Sequence, residues 1–132
     1  MQSSVKQGRV SSVAVSMCGN FGVLGFESGI ITKFNLQSGI DKGIFKSENG
    51  SGLKDLHTAE VTGLGIDSLN KVLVSGSLDR TVKLWDFYRA KLLKTFSCEY
   101  PVSNLTYNKL NDLVAFSSSD LSITLLNAKN GL

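Results

Sequence analysis

A chain of 132 residues and 14.2 kDa carries about one domain's worth of sequence, and 42% hydrophobic against 19% charged residues with a formal charge of +3 describes a chain that buries a core. β-Branched and aromatic residues far outnumber Ala and Glu, which favours strands over helices. Cys18 and Cys98 form no CxxC pair, and no secretory leader or membrane-length apolar run is present, so disulfide frameworks, zinc knuckles and membrane spans are excluded and a soluble, intracellular, all-β protein is expected.

Residues 1–9 read as an N-terminal segment, or as the outer strand of a preceding unit. Three units then follow, at residues 10–56, 57–101 and 102–132. Their first strands are Val10-Ser11-Ser12-Val13-Ala14-Val15, Val61-Thr62-Gly63-Leu64-Gly65-Ile66 and Val102-Ser103-Asn104-Leu105-Thr106-Tyr107, apolar at the first, fourth and sixth places and offset by 51 and 41 residues. At the same offsets, Val23-Leu24-Gly25 matches Val74-Ser75-Gly76 and Ala115-Phe116-Ser117. A third strand matches Ile31–Asn35 with Val82–Asp86 and Ile123–Asn127.

Turn residues such as Cys18-Gly19-Asn20, Ser28-Gly29, Ser68-Leu69-Asn70 and Asp79-Arg80 separate these strands, and connections so short require antiparallel neighbours. A fourth strand is expected at about Lys42 to Lys46 and Lys91 to Phe96, whereas the third unit ends at Leu132 where its own would begin. The polar stretch 46–56 accounts for the longer first offset. It reads as a solvated linker, with a partner-binding loop as the alternative. Asp67, Ser68, Asn70, Lys71, Leu78, Asp79 and Arg80 are expected to face solvent in the turns.

A four-stranded antiparallel unit of ~40–45 residues has the size of a β-propeller blade. His57 followed by Leu73-Val74-Ser75-Gly76-Ser77-Leu78-Asp79-Arg80-Thr81-Val82-Lys83-Leu84-Trp85-Asp86 resembles the WD-repeat signature. The resemblance implies about three consecutive four-stranded antiparallel WD-repeat blades, a partial β-propeller and thus a piece of a larger ring. It also implies a structural tetrad of His57, Ser75, Asp79 and Trp85, with Ser77 as the alternative serine. The flanking units have lost this set: Phe34 and Leu126 stand where Trp85 does, Ser28 replaces the Asp, and Lys6 or Cys98 occupies the His position.

A Ser, a His and an Asp in one unit invite a hydrolase triad, yet no G-x-S-x-G elbow surrounds either serine. One histidine cannot make a histidine-rich metal site, a P-loop is absent, and Gly63-Leu64-Gly65 lacks the third glycine of a dinucleotide fingerprint. No catalytic residue, metal site or cofactor is expected.

Cys18-Gly19-Asn20-Phe21, Phe34-Asn35-Leu36-Gln37 and Ser38-Gly39-Ile40, with Asp120-Leu121-Ser122-Ile123 two blades later, resemble the family of WD-repeat subunits of the eukaryotic small-subunit processome, the U-three small nucleolar RNA-associated proteins of the UtpB subcomplex. That resemblance implies a nucleolar scaffold for protein–protein assembly, supporting pre-rRNA processing within a large ribonucleoprotein. Its partners would be other protein subunits, with no membrane and no small-molecule substrate. Arg80, Lys83, Arg89, Lys91 and Lys94 concentrate positive charge in the middle unit, with Tyr88 available for stacking. They read as a solvated edge that blocks stray strand pairing, the alternative being contact with pre-rRNA or small nucleolar RNA.

Overall fold

Alternation of apolar and small residues in short runs, each closed by a turn signal, builds a chain of antiparallel strands. The computed structural model describes residues 8–16, 18–39, 41–44, 56–67, 69, 71–108, 113–118 and 123–127. The first sheet is ordered β1-β2-β3-β4, from β1 (Val10–Val15), β2 (Phe21–Phe26), β3 (Ile31–Asn35) and β4 (Asp41–Ile44). The second is ordered β5-β6-β7-β8, from β5 (Val61–Ile66), β6 (Val72–Ser77), β7 (Thr81–Asp86) and β8 (Lys91–Ser97). The third comprises β9 (Val102–Asn108), β10 (Leu113–Ser118) and β11 (Ile123–Asn127), with β10 central.

No helix occurs among the described residues, and the architecture is a partial propeller of consecutive antiparallel blades. The fourth strand of the first blade is described at Asp41–Ile44, and the remainder of the expected stretch, Phe45 and Lys46, lies outside the described residues. Of the 46–56 stretch only Leu56 is described; the rest, like residues 1–7 and the turn residues Ser68 and Asn70, lies outside the described residues.

The blades stack face to face, β1 against β5 and β5 against β9. Because strand side chains alternate, each middle strand serves two interfaces. Leu73 of β6 joins Val23, Ile31, Val61, Ile66, Trp85 and Phe87 between the first two blades. Its neighbour Val74 joins Val82, Leu84, Val102, Val114 and Phe116 between the second and third. Each fully buried side chain of this size contributes roughly 1.5–3 kcal/mol relative to an exposed one.

Two polar and steric details repeat from blade to blade. The Ser11 hydroxyl donates to the carbonyl of Val61 at 2.7 Å and lies 3.2 Å from that of Gly25. One blade on, the Thr62 hydroxyl donates to Val102 at 2.7 Å and lies 3.2 Å from the carbonyl of Gly76. Each hydroxyl thus ties its own second strand to the first strand of the next blade. Close approach completes the joint: a Cβ on Gly63 would stand 2.6 Å from Leu105 Cβ, and one on Gly65 2.5 Å from Tyr107 Cβ.

Candidate functional site

The middle blade gathers its polar residues at the interface with the first. His57 precedes β5, Ser75 lies on β6 and Trp85 on β7, while Asp79 sits in the β6–β7 turn. Trp85 pairs with Leu73, two residues from Ser75, so Ser75 and Trp85 share a face of the sheet. On that face Trp85 Nε1 donates to Ser75 Oγ at 2.8 Å, and Ser75 Oγ lies 2.7 Å from His57 Nε2. The other imidazole nitrogen, Nδ1, lies 2.9 Å from Asp79 Oδ2.

Ser77, the alternative serine, instead donates to the carbonyl of Ala59 at 3.1 Å and accepts the Asp79 N–H, so it shapes the turn. The Asp79 carboxylate also accepts the backbone N–H of Thr58 at 3.0 Å and that of Thr81 at 2.9 Å, together with the Thr81 hydroxyl. Asp79 is therefore not the solvent-facing turn residue its position suggested; its side chain is 7% exposed.

Burial disfavours the imidazolium and holds the His57 pKa below its ordinary 6.5 against the opposing pull of Asp79. Burial alone would raise the Asp79 pKa, but hydrogen bonds from His57, Thr81 and Thr58 outweigh it and keep the carboxyl ionised well below its ordinary range. A neutral imidazole fixes the direction of every bond: Nδ1–H donates to Asp79, and Nε2 accepts from the Ser75 hydroxyl, which accepts from the Trp85 indole.

This connectivity matches the Ser–His–Asp order of a hydrolase, so accessibility decides what it can do. Ser75 and Trp85 are fully buried, and the indole N–H occupies the serine oxygen that would have to attack. A substrate has no approach to that oxygen. The four side chains satisfy one another's buried polar groups and lock a turn to two strands. Among the described residues no group of His, Cys, Asp and Glu is placed to hold a metal ion.

Two contributors escaped sequence reading. Thr81 follows Asp79 directly, and only the turn geometry shows its hydroxyl reaching both the carboxylate and His57 Nδ1, the latter at 3.1 Å. Lys33, on β3 of the first blade, is buried and donates to the carbonyls of Phe87 at 2.7 Å and Tyr88 at 3.1 Å, with its ammonium 4.9 Å from the centre of the Phe87 ring. It bolts one blade to the β7–β8 turn of the next, and no local motif marks it.

The basic residues do not form one patch. Lys83 is buried, with Nζ 3.2 Å from Thr95 Oγ1, because β7 is covered on both faces; its place on an exposed edge is a reading the structure corrects. Arg80 is exposed at the start of β7, in a left-handed conformation with φ 72°, whereas Arg89 and Lys91 lie at the far end of the same strand pair. Lys94 lies between, its ammonium 5.1 Å from the Phe96 ring centre. Tyr88, next to Arg89, is 86% exposed. Asp67 is likewise corrected: it is buried, accepting the N–H groups of Lys71 at 2.6 Å and Val72 at 3.0 Å to close the β5–β6 turn.

Residues 1–130 match the family described as the WDR36/Utp21 second β-propeller domain. The chain is 39% identical over 121 residues to U3 small nucleolar RNA-associated protein 21 of Saccharomyces cerevisiae, covering 92% of this chain and 12% of that protein. It is 34% identical over 120 residues to the Schizosaccharomyces pombe homolog, covering 91% and 13%. With human WD repeat-containing protein 36 the identity is 28% over 116 residues, covering 88% and 12%. The chain thus spans only 12–13% of the length of these relatives. Among solved structures, U3-55K superposes with a TM-score of 0.83 at 22% identity over 95% of this chain and 38% of that one, and the RRP9 WD40 repeats with 0.82 at 22% over 95% and 37%, a likeness of fold.

Proposed function

We propose, from the premise that the chain belongs to the WDR36/Utp21 second β-propeller family, that it works as a non-catalytic scaffold for protein–protein assembly in the nucleolar small-subunit processome. There it would support pre-rRNA processing and maturation of the small-subunit rRNA. Its partners on this reading are protein subunits of a large ribonucleoprotein, and it uses neither cofactor nor membrane. The observation that carries the reading is the burial of the polar chain. Ser75 and Trp85 are sealed and His57 nearly so, which supports reading the tetrad as a structural device and the blade surfaces as the working part. The names of the yeast relatives, which associate those proteins with the U3 small nucleolar RNA, supply the setting.

The experiment is purification of the tagged chain with processome subunits before and after ribonuclease treatment. Retention of the same protein subunits after digestion supports the scaffold; loss of all of them overturns it.

A second reading, direct RNA contact, is favoured by one observation: the Tyr88 ring stands almost free in solvent beside exposed Arg89. Charge reversal at Arg89, Lys91 and Lys94 would then lower affinity for structured RNA and flatten its salt dependence. Unchanged binding disposes of this reading and leaves the scaffold standing.

A further inference from the structure

One pair of turns is built twice, in the first blade and in the second. Leu36 N–H donates to the Asn20 carbonyl at 2.8 Å, and at the 51-residue offset Phe87 N–H donates to the Lys71 carbonyl at 2.9 Å. The Asn35 side-chain oxygen accepts the N–H groups of Gln37 and Ser38, as the Asp86 carboxylate accepts that of Arg89. Gly39 at φ 72° and Ala90 at φ 57° then turn the chain back. The backbone thus asks for a short acceptor side chain and one left-handed residue. It does not ask for the residues between them.

Those residues set the two blades apart. In the first, Gln37 Nε2 donates to Asn20 Oδ1 at 3.2 Å, so the turns close on each other. Their counterparts in the second are Tyr88 and Lys71, whose side chains share no hydrogen bond. Tyr88 is 86% exposed, and Leu69 in the β5–β6 turn 63%. Lys71 and Arg89 are exposed and have no acidic partner among the described residues. The acids of these turns face inward instead: Asp67 accepts the N–H groups of Lys71 and Val72, and Asp86 that of Arg89. Two uncovered apolar groups and two uncompensated cations therefore cap one end of a blade that has a neighbouring blade on either side.

We infer, resting on the scaffold reading above, that this end of the middle blade holds an extended acidic segment of a protein partner. An apolar side chain of the segment lies against Tyr88 and Leu69, and carboxylates flanking it meet Arg89 and Lys71. Arg89 can fork onto a carboxylate with two parallel bonds, while Lys71 adds a second positive charge. Tyrosine and arginine are also the side chains that most often anchor protein interfaces.

Two observations favour a protein segment over RNA. Leu69 has no ring on which a base could stack, and the Tyr88 ring already has the Lys33 ammonium 6.0 Å from its centre. The cations also fail to continue as a track for a phosphate backbone. Arg80 lies at the opposite end of the sheet, Lys83 is buried, and Lys94 rests over the Phe96 ring.

Fluorescence anisotropy tests the assignment, with the full 132-residue chain and a fluorescein-labelled peptide in which one phenylalanine is flanked by aspartate and glutamate. Binding is expected at roughly 10–100 μM and should vanish when asparagine and glutamine replace the acids. Tyr88→Ala and Arg89→Glu should each weaken it by about tenfold. Tyr100→Ala, beyond the far end of β8, should leave it unchanged. The double variant Lys71→Glu with Arg89→Glu should take up a peptide carrying lysine and arginine in place of the acids, which also shows that the variant is folded. No binding of the acidic peptide, equal binding of the neutral one, indifference to Tyr88→Ala and Arg89→Glu, or failure of the charge-exchanged pair would each overturn the inference. So would a single-stranded oligouridine that binds through Tyr88 and Arg89 where the peptide does not. Retention of processome subunits after ribonuclease treatment is a separate readout, so failure of the peptide overturns this site and leaves the scaffold reading standing.

Discussion

His57 Nε2 and Ser75 Oγ lie 2.7 Å apart where water does not reach, and burial there favours the neutral imidazole, whose Nε2 accepts the serine proton. Acid then acts on the blade in two steps. Unfolded, His57 takes up a proton near 6.5, whereas folded it resists because burial lowers its pKa; its contribution to stability is whole above pH 6.5 and declines as pH falls below that value. Asp79 is depressed from its ordinary 3.8, so its contribution is whole above pH 3.8 and is lost as pH falls from there toward the folded value. The urea midpoint should fall between pH 7 and 5 and again below pH 4. His57→Asn should flatten the first decline and spare the second. A midpoint constant from pH 7 to 5 in the native chain contradicts the neutral, buried imidazole.

Trp85 combines packing with donation, and two substitutions separate these. Trp85→Ala removes a fully buried side chain and should cost about 3–5 kcal/mol. Trp85→Phe keeps most of the volume but removes the N–H that Ser75 accepts, and should cost about 1–3 kcal/mol. Equilibrium denaturation reads both. A loss below ~1 kcal/mol for the alanine variant would contradict the place given to Trp85 in the polar chain.

The repeat of Val10, Val61 and Val102 made the blade order legible, since offset and alternation survive even where the polar residues of the flanking blades are gone. His57, Ser75, Asp79 and Trp85 were legible only through the resemblance of residues 73–86 to the WD-repeat signature, with Ser77 left open as the alternative serine. Lys83 and Asp67 were misread for a common physical reason: sequence assigns charge to the surface, but β7 is covered on both faces and the Asp67 carboxylate closes its own turn. Lys33 was invisible because its partners, Phe87 and Tyr88, belong to a different blade more than fifty residues away.

Lys33 itself supplies a prediction. Its ammonium satisfies two carbonyls at a largely buried joint, so Lys33→Met keeps the stem and removes the donor. The cost should be about 1.5–3 kcal/mol, the range for hydrogen bonds to a charged group. In a double-mutant cycle with Phe87→Leu the two losses should fall short of additive, because the ammonium also lies over the Phe87 ring. Additive losses would mean that ring and ammonium act independently.

Gly29 joins the first blade to the polar chain of the second, and its substitution should be felt at Trp85. The residue has φ +92°, a conformation side chains resist, and a Cβ there would stand 2.0 Å from the carbonyl oxygen of His57. Gly39 has φ +72° with nothing within 4 Å of the same atom. Gly39→Ala therefore carries only the backbone penalty of roughly 1–2 kcal/mol. Gly29→Ala adds a collision that backbone must yield to, for a total above about 2 kcal/mol. Because the chain contains one tryptophan, fluorescence reports the blade interface directly. Gly29→Ala should displace His57 and shift the Trp85 emission, while Gly39→Ala leaves the spectrum as it is. Equal costs with identical spectra would show that the His57 carbonyl does not confine Gly29.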